Sequence, residues 1–423
     1  MDNSGQFRQR ILVTLCLLSA GLSIPAGAAR PAGQTDSALD RGRYLTQAAN
    51  CKGCHTTILG QPYAGSVAFD TPFGTLYSTN ITADEVEGIG AWTEDEFVRA
   101  MHEGIGRNGQ HLYPAFPYTA YTQLSREDVI AIRDYLMAQP VVAHEVPSND
   151  MKFPFSNRSL LWFWKLMNFD EGRFAADEDQ SEQWNRGAYL TEALGHCGQC
   201  HTPRTLTQGL DDDEKFAGAV LQGWRAYNIT PHETGIGNWS GEELRFYLST
   251  GHIPDKIASG GPMADVVTNS LRHLSPEDID AMATYLETIP PQAGIVPALS
   301  DVSFNLDEPA EDSALAATMA SGEQLFETAC VSCHYPDGGG PGGAYPLFPH
   351  HSAVRAEDGL NLINVMLQGL ERHGSDGYKF MPAYHALMND EQIAAVVTYV
   401  GRRFGGYEAD FSAEDIRKQR QEH

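Results

Sequence analysis

The chain has 423 residues, with 29 Lys and Arg against 55 Asp and Glu, for a formal net charge of −26. So acidic a surface excludes nucleic acid and anionic lipid as general partners; it suits a basic patch on another protein, or plain solubility. At the N-terminus Arg8 and Arg10 precede an apolar run, Ile11 to Ile24, and the small residues Ala26-Gly-Ala28-Ala29 follow. That is the layout of a cleaved export signal over residues 1–29. The run is shorter than the ~20 residues that span a bilayer. Cys16, the odd one of seven cysteines, lies inside it behind Leu15, where a lipoprotein signal would place a small residue, and is expected to be discarded with it. Cleavage removes Arg8, Arg10 and Asp2, leaving 27 basic residues against 54 acidic. No other segment reads as membrane-spanning.

The chain then aligns with itself. Three openings correspond, DRGRYLTQAANCKGCHT (40–56), NRGAYLTEALGHCGQCHT (185–202) and ASGEQLFETACVSCHYP (320–336), and each carries C-x-x-C-H: Cys51, Cys54 and His55; Cys197, Cys200 and His201; Cys330, Cys333 and His334. This is the attachment signature of c-type haem. Two thiols at that spacing form thioethers with the porphyrin vinyl groups, and the adjacent imidazole binds the iron axially. Zinc would require a second Cys or His pair for each site, and a thioredoxin-like pair would follow a strand in a β-α-β pattern; neither context is present. Three motifs imply three covalent haems and an exported location, since haem is attached outside the bacterial cytoplasm.

Each opening reads as a helix running into its motif, and each repeat ends in another: LSREDVIAIRDYL (124–136), LSPEDIDAMATYL (274–286) and MNDEQIAAVVTYV (388–400). Ser125, Ser275 and Asn389 stand at N-caps, Pro276 at a first helical position, and Gln392 completes a capping box with Asn389. Apolar residues recur three and four apart, as in Val129, Ile132 and Leu136. Gly42, Gly187 and Gly322 would let each opening helix cross its closing helix closely, against Tyr135, Tyr285 and Tyr399. The first two repeats also share a middle block, YSTNITADEVEGIGAWTEDEFVRAM (77–101) against YNITPHETGIGNWSGEELRFYL (227–248). Strand alternation dominates nowhere, so the fold class is mostly α, with long loops around the cofactors.

The boundaries expected are a signal at 1–29, repeats at 36–150, 181–289 and 317–405, an apolar segment at 151–180, a Pro-rich acidic linker at 290–316 and a polar tail at 406–423. The apolar segment contains NRSLLWFWKLMNFDEGRF (157–174), the most apolar stretch of the mature chain. It reads either as interdomain packing or as an interface with a membrane or a protein partner. The glycines of PDGGGPGGAYP (336–346) form a loop after the third motif. The tail SAEDIRKQRQEH (412–423) reads as a short helix opened by Ser412, with too thin an apolar face to anchor it.

The helix into C-x-x-C-H, a late Met before a capped final helix and the Gly/aromatic crossing resemble class I cytochrome c. Three such domains in tandem, with the N-I-T…G-I-G-x-W block twice, resemble the triheme cytochrome c subunit of bacterial membrane-bound dehydrogenases of the quinoprotein alcohol and flavoprotein gluconate 2-dehydrogenase type. The resemblance covers essentially the whole mature chain. It implies an electron-transfer subunit at the periplasmic face of the inner membrane. Electrons would pass from a quinoprotein or flavoprotein catalytic subunit, acting on an alcohol, aldehyde or sugar acid, to ubiquinone or a terminal oxidase. No dinucleotide fingerprint or Ser/His/Asp constellation gives the chain an organic substrate site of its own.

The same resemblance implies the iron ligands. His55, His201 and His334 are proximal by the motif, while Met263 in GGPMADVV and Met381 in KFMPAY stand where the sixth ligand is expected, each beside a proline. Repeat one has Phe116 in LYPAFPY, and Phe cannot bind iron. Met101, His102 and His111 are its nearest substitutes. Met101 aligns with Leu248, a core position; the two histidines have charged or Gly-rich neighbours. The expectation is Met101 or an open site. An open site keeps a rival reading alive, a free-standing haem enzyme such as a peroxidase; a soluble shuttle or terminal-oxidase subunit is another.

Overall fold

The opening helices form where the sequence places good helix formers ahead of each motif. The computed structural model, which describes residues 32–294, 310, 313–340 and 347–422, has them at Ala32–Ala48, at Glu182–Ala188 continued by a π turn to Leu194, and at Ala314–Ala329. The export segment with Cys16, most of the 290–316 linker and the second half of the glycine loop lie outside the described residues. The first two openings do not run unbroken into their motifs. The chain bends at left-handed Asn50 (φ 52°) and at His196 (φ 41°), equivalent positions, before the short helices Cys51–His55 and Gly198–His201. The third passes almost directly into Val331–His334.

The closing helices are Arg126–Met137, Pro276–Leu286 and Asp390–Val400. Ser125 accepts from the Asp128 N–H, Ser275 from the Asp278 N–H, and Asn389 and Gln392 complete their box. Each opening helix crosses its closing helix at the expected glycine. A Cβ on Gly42 would stand 2.1 Å from the Ala131 carbonyl oxygen, one on Gly187 2.0 Å from that of Ala281, and one on Gly322 2.2 Å from that of Ala395. Tyr135, Tyr285 and Tyr399 are the adjoining residues at all three crossings. Sheet is confined to short antiparallel pieces, such as Ala68–Thr71 with Gly74–Tyr77 and Leu370–Gly374 with Gly377–Met381, the latter in register Leu370 to Met381.

One apolar core, with Leu45, Met101, Leu124, Ile132, Leu194, Leu248, Met282 and Leu286, runs through the first two repeats together; a second, around Phe326, Ile363, Ile393 and Phe404, belongs to the third. The first two meet about a pseudo-twofold axis. Asp128 accepts from Arg41 of its own repeat at 3.1 Å and from Tyr189 of the other at 2.6 Å; Asp278 accepts from Arg186 at 2.8 and 2.6 Å and from Tyr44 at 2.6 Å. The backbone N–H groups of Ser125 and Ser275 donate in turn to Tyr189 and Tyr44. This is an isologous interface within one chain. The third repeat has Ser321, Gln324 and Gln392 at the Arg, Tyr and Asp positions and cannot join it.

The third repeat docks on the second through anchored backbone. Arg225 pairs with Asp358, Asn361 and Asn364 bond the Arg225 and Gly223 backbone, the Ser352 N–H donates to the Lys256 carbonyl at 2.9 Å, and buried Arg372 donates to the Ser259 carbonyl at 3.1 Å. The tail helix, Ala413–Gln421, packs too: Ile416 is fully buried in the third core, and Arg417 and Arg420 pair with Asp390.

Candidate functional site

The Cys-His motifs lie at the end of each opening helix, the cysteines three apart on a single turn. All six sulfurs are free. Burial pushes the Cys51 and Cys197 thiols up to about 12 and Cys54 and Cys330 up to about 11. Among the described residues no three His, Cys, Asp or Glu side chains converge as a metal cluster. The zinc reading therefore lacks its geometry.

His55 and His201 are held alike. His55 Nδ1 lies 2.7 Å from the Thr79 carbonyl oxygen and His201 Nδ1 2.7 Å from that of Tyr227. That bond puts the proton on Nδ1 and leaves the Nε2 lone pair for a metal. Burial lowers both pKa values, against the raising effect of the carbonyl, and keeps the rings neutral. His334 is buried with its ring 4.5 Å from that of Phe348.

The carbonyls are placed by a device that the sequence displays without explaining. Asn80 Oδ1 takes the Thr82 N–H and hydroxyl at 2.9 and 2.8 Å, while its amide holds the Val142 carbonyl at 2.8 Å; Asn228 does the same with Thr230 and the Gln292 carbonyl. The repeated N-I-T thus clamps the segment after the closing helix, and the residue just before it, Thr79 or Tyr227, presents its carbonyl to the histidine. The G-I-G glycines fit under this turn, since Cβ atoms on Gly88 and Gly235 would meet the Thr82 and Thr230 carbonyls at 2.3 and 2.5 Å.

The first two motifs also face each other. The Cys200 sulfur is near enough to raise the Cys54 pKa, His196 Nε2 lies 3.4 Å from the Ala49 carbonyl oxygen, and Gln199 donates to Thr119 at 3.0 Å. Among the expected sixth ligands, Met263 lies in the first turn of the Gly261–Asn269 helix against the shared core, and Met381 ends its strand against the third core. Phe116 is half-buried and edge-on to Tyr121 at 5.6 Å.

Of its substitutes, Met101 is a core residue, as buried as Leu248 at the matching position, the burial of an ordinary filler. His102 lies beside Leu124 and Arg173, and His111 beside Lys165, both on the side covered by residues 157–174. Free paired thiols and an imidazole with its second nitrogen fixed make this donor set fit covalent haem c.

A family model described as cytochrome c matches residues 39–140, and one described as cytochrome c oxidase, cbb3-type, subunit III matches residues 317–400. The fructose dehydrogenase cytochrome subunit of Gluconobacter japonicus is 36% identical over 437 residues, covering 96% of this chain and 88% of that one. The gluconate 2-dehydrogenase cytochrome c subunit of Pantoea cypripedii is 35% identical over 90% and 89%. The chain belongs to the cytochrome c subunits of membrane-bound dehydrogenases. Haem c is the cofactor of this cytochrome subunit, and electron transfer is its role. A nicotinate dehydrogenase subunit of Pseudomonas putida is 39% identical over 86% of this chain, which spans only 30% of that longer protein.

Proposed function

We propose that the chain is the periplasmic triheme subunit of a dehydrogenase complex, three tandem cytochrome c domains that carry electrons from a quinoprotein or flavoprotein catalytic subunit to membrane ubiquinone or a terminal oxidase. The observation that carries this is the triple C-x-x-C-H, two copies of which share one imidazole-to-carbonyl anchor. Each iron would cycle between the ferric and ferrous states. Cys51, Cys54, Cys197, Cys200, Cys330 and Cys333 hold the three groups covalently, and His55, His201 and His334 bind their irons. Met263 and Met381 would supply the sixth donor for two of them, where a thioether favours electron transfer over oxygen chemistry. The first repeat has Phe116, which carries no donor atom, at the position of these methionines, so its iron would keep an open site.

Among the described residues no helix is long and apolar enough to cross a membrane. The relatives named as dehydrogenase subunits support this reading over a free-standing peroxidase. The test is affinity purification of the tagged chain from detergent-solubilised host membranes, with mass spectrometry of what accompanies it and a haem count per chain. A large quinoprotein or flavoprotein with three haems supports the proposal; a solitary chain that turns over peroxide would replace it.

A further inference from the structure

An apolar helix that buries none of its residues calls for a cover. The Leu160–Asn168 helix is such an element: Trp162, Phe163, Leu166 and Met167 are 50, 58, 67 and 64% exposed. It is nonetheless firmly held. Trp164 Nε1 donates to the Thr207 carbonyl of the second repeat at 2.8 Å, and Thr207 donates to Asn168 at 2.7 Å. Lys165 Nζ donates to the Gly104 carbonyl of the first repeat at 3.0 Å and stands 4.7 Å above the Tyr118 ring. One face staples the two repeats together and the other is presented outward. Leu206, wholly exposed on the loop that Trp164 holds, extends the apolar surface, and Phe153, a few residues ahead of the helix in the chain, is 89% exposed.

Interdomain packing accounts for the inner face alone. Nine residues rise about 13 Å, far short of a bilayer core, so the helix lies along a membrane if it meets one. Charge favours that occupant. Residues 151–174 carry Lys152, Arg158, Lys165 and Arg173 against Asp170 and Glu171, a positive stretch in a chain of net charge −26. Along this segment the balance is locally positive where the chain as a whole is acidic, with Lys165 and Arg173 spent on inward bonds, and aromatic side chains at a helix surface suit the headgroup layer. We infer that the outer face of this helix, with Phe153 and Leu206, is a bilayer-docking surface that seats in the interface of an anionic membrane. The inference rests on the reading of the chain as a membrane-associated subunit and names the surface that attaches it.

The experiment uses the haem-loaded full chain and vesicles of phosphatidylcholine and phosphatidylglycerol in equal parts. Flotation is measured at low and high salt, together with quenching of Trp fluorescence by lipids brominated near the headgroup. The unmodified chain floats and is quenched, more weakly with phosphatidylcholine alone. Trp162→Ser, Phe163→Ser, Leu166→Ser and Met167→Ser together lower the partition about tenfold or more. Val86→Ser with Leu387→Ser, exposed apolar positions elsewhere, leaves it unchanged. A reduced-minus-oxidised haem spectrum equal to that of the unmodified chain certifies folding. No flotation by the unmodified chain, or equal flotation by the fourfold variant, overturns the inference. So does a variant that floats normally but no longer recovers the catalytic subunit, because the face is then a protein interface. Flotation through this face with no dehydrogenase recovered would leave the docking surface standing and sink the proposed function instead.

Discussion

Gly187→Ala is the sharpest perturbation of the helix crossing. The new methyl would meet the Ala281 carbonyl oxygen at 2.0 Å, its carbon at 2.6 Å and Tyr285 Cβ at 2.9 Å. Ordinary contacts of carbon with a carbonyl oxygen lie near 3.3–3.6 Å, so the helices must part by about 1 Å. The atoms in the way are backbone, which cannot swing aside. Overpacking of this kind costs typically 1–3 kcal/mol and sits at the upper end here. Alanine returns about 1 kcal/mol of helix propensity. The net expectation is a loss of about 2 kcal/mol, or about 4–8 °C for the ~200-residue unit that the first two repeats form around their shared core. Parting the helices also strains the Arg186 and Tyr44 bonds to Asp278. Thermal unfolding of the haem-loaded protein, followed by far-ultraviolet and Soret dichroism, measures it. Gly172→Ala, with nothing within 4 Å, serves as control and should change little. If Gly187→Ala melts at the same temperature or higher, the close crossing is not what fixes the motif helix.

Asp278→Asn should cost about 2 kcal/mol, since it breaks a buried carboxylate away from Arg186 and Tyr44, discounted because Arg186 is partly exposed; denaturant unfolding reads it. Burial alone would raise the Asp278 pKa, but the bonds from Arg186 and Tyr44 outweigh it and hold the group below the usual carboxylate range. Its contribution is thus complete above about pH 4 and is lost as the pH falls through the depressed value, so Asp278→Asn should flatten that limb of an acid-unfolding curve. Phe116→Met should add a sixth ligand to the first haem, raising one of the midpoint potentials and abolishing any cyanide or carbon monoxide binding there; an unchanged spectrum and titration would count against the open site. Replacing Cys330 and Cys333 together by Ala should lower the pyridine haemochrome absorbance per chain by one third, and no decrease would reduce the haem count to two.

Much of the fold was legible because its determinants are local. Caps, a glycine at a crossing and a C-x-x-C-H turn act within one or two helical turns, so Ser275, Asn389, Gly187 and the motif cysteines announce themselves in the linear chain. The motif histidines were legible for the same reason; the Phe116 question was visible as a gap, and placing its neighbours needed the fold. Only the folded chain puts Met101 in the core and turns His102 and His111 toward residues 157–174, because a side chain's direction depends on what packs beside it.

The seams between repeats were hidden for a different reason. Tyr44 and Asp278 lie 234 residues apart, and their bond exists only once two similar units meet about an axis that no local pattern encodes. The same holds for the carbonyls of Thr79 and Tyr227, which are backbone atoms with no letter in the sequence. Sequence by itself determined how many motifs, helices and caps there are, since those depend on neighbours along the chain. Tertiary structure decided which repeats pair, which methionines join the core and which apolar helix is left facing outward, since burial and partnership are properties of the assembled surfaces.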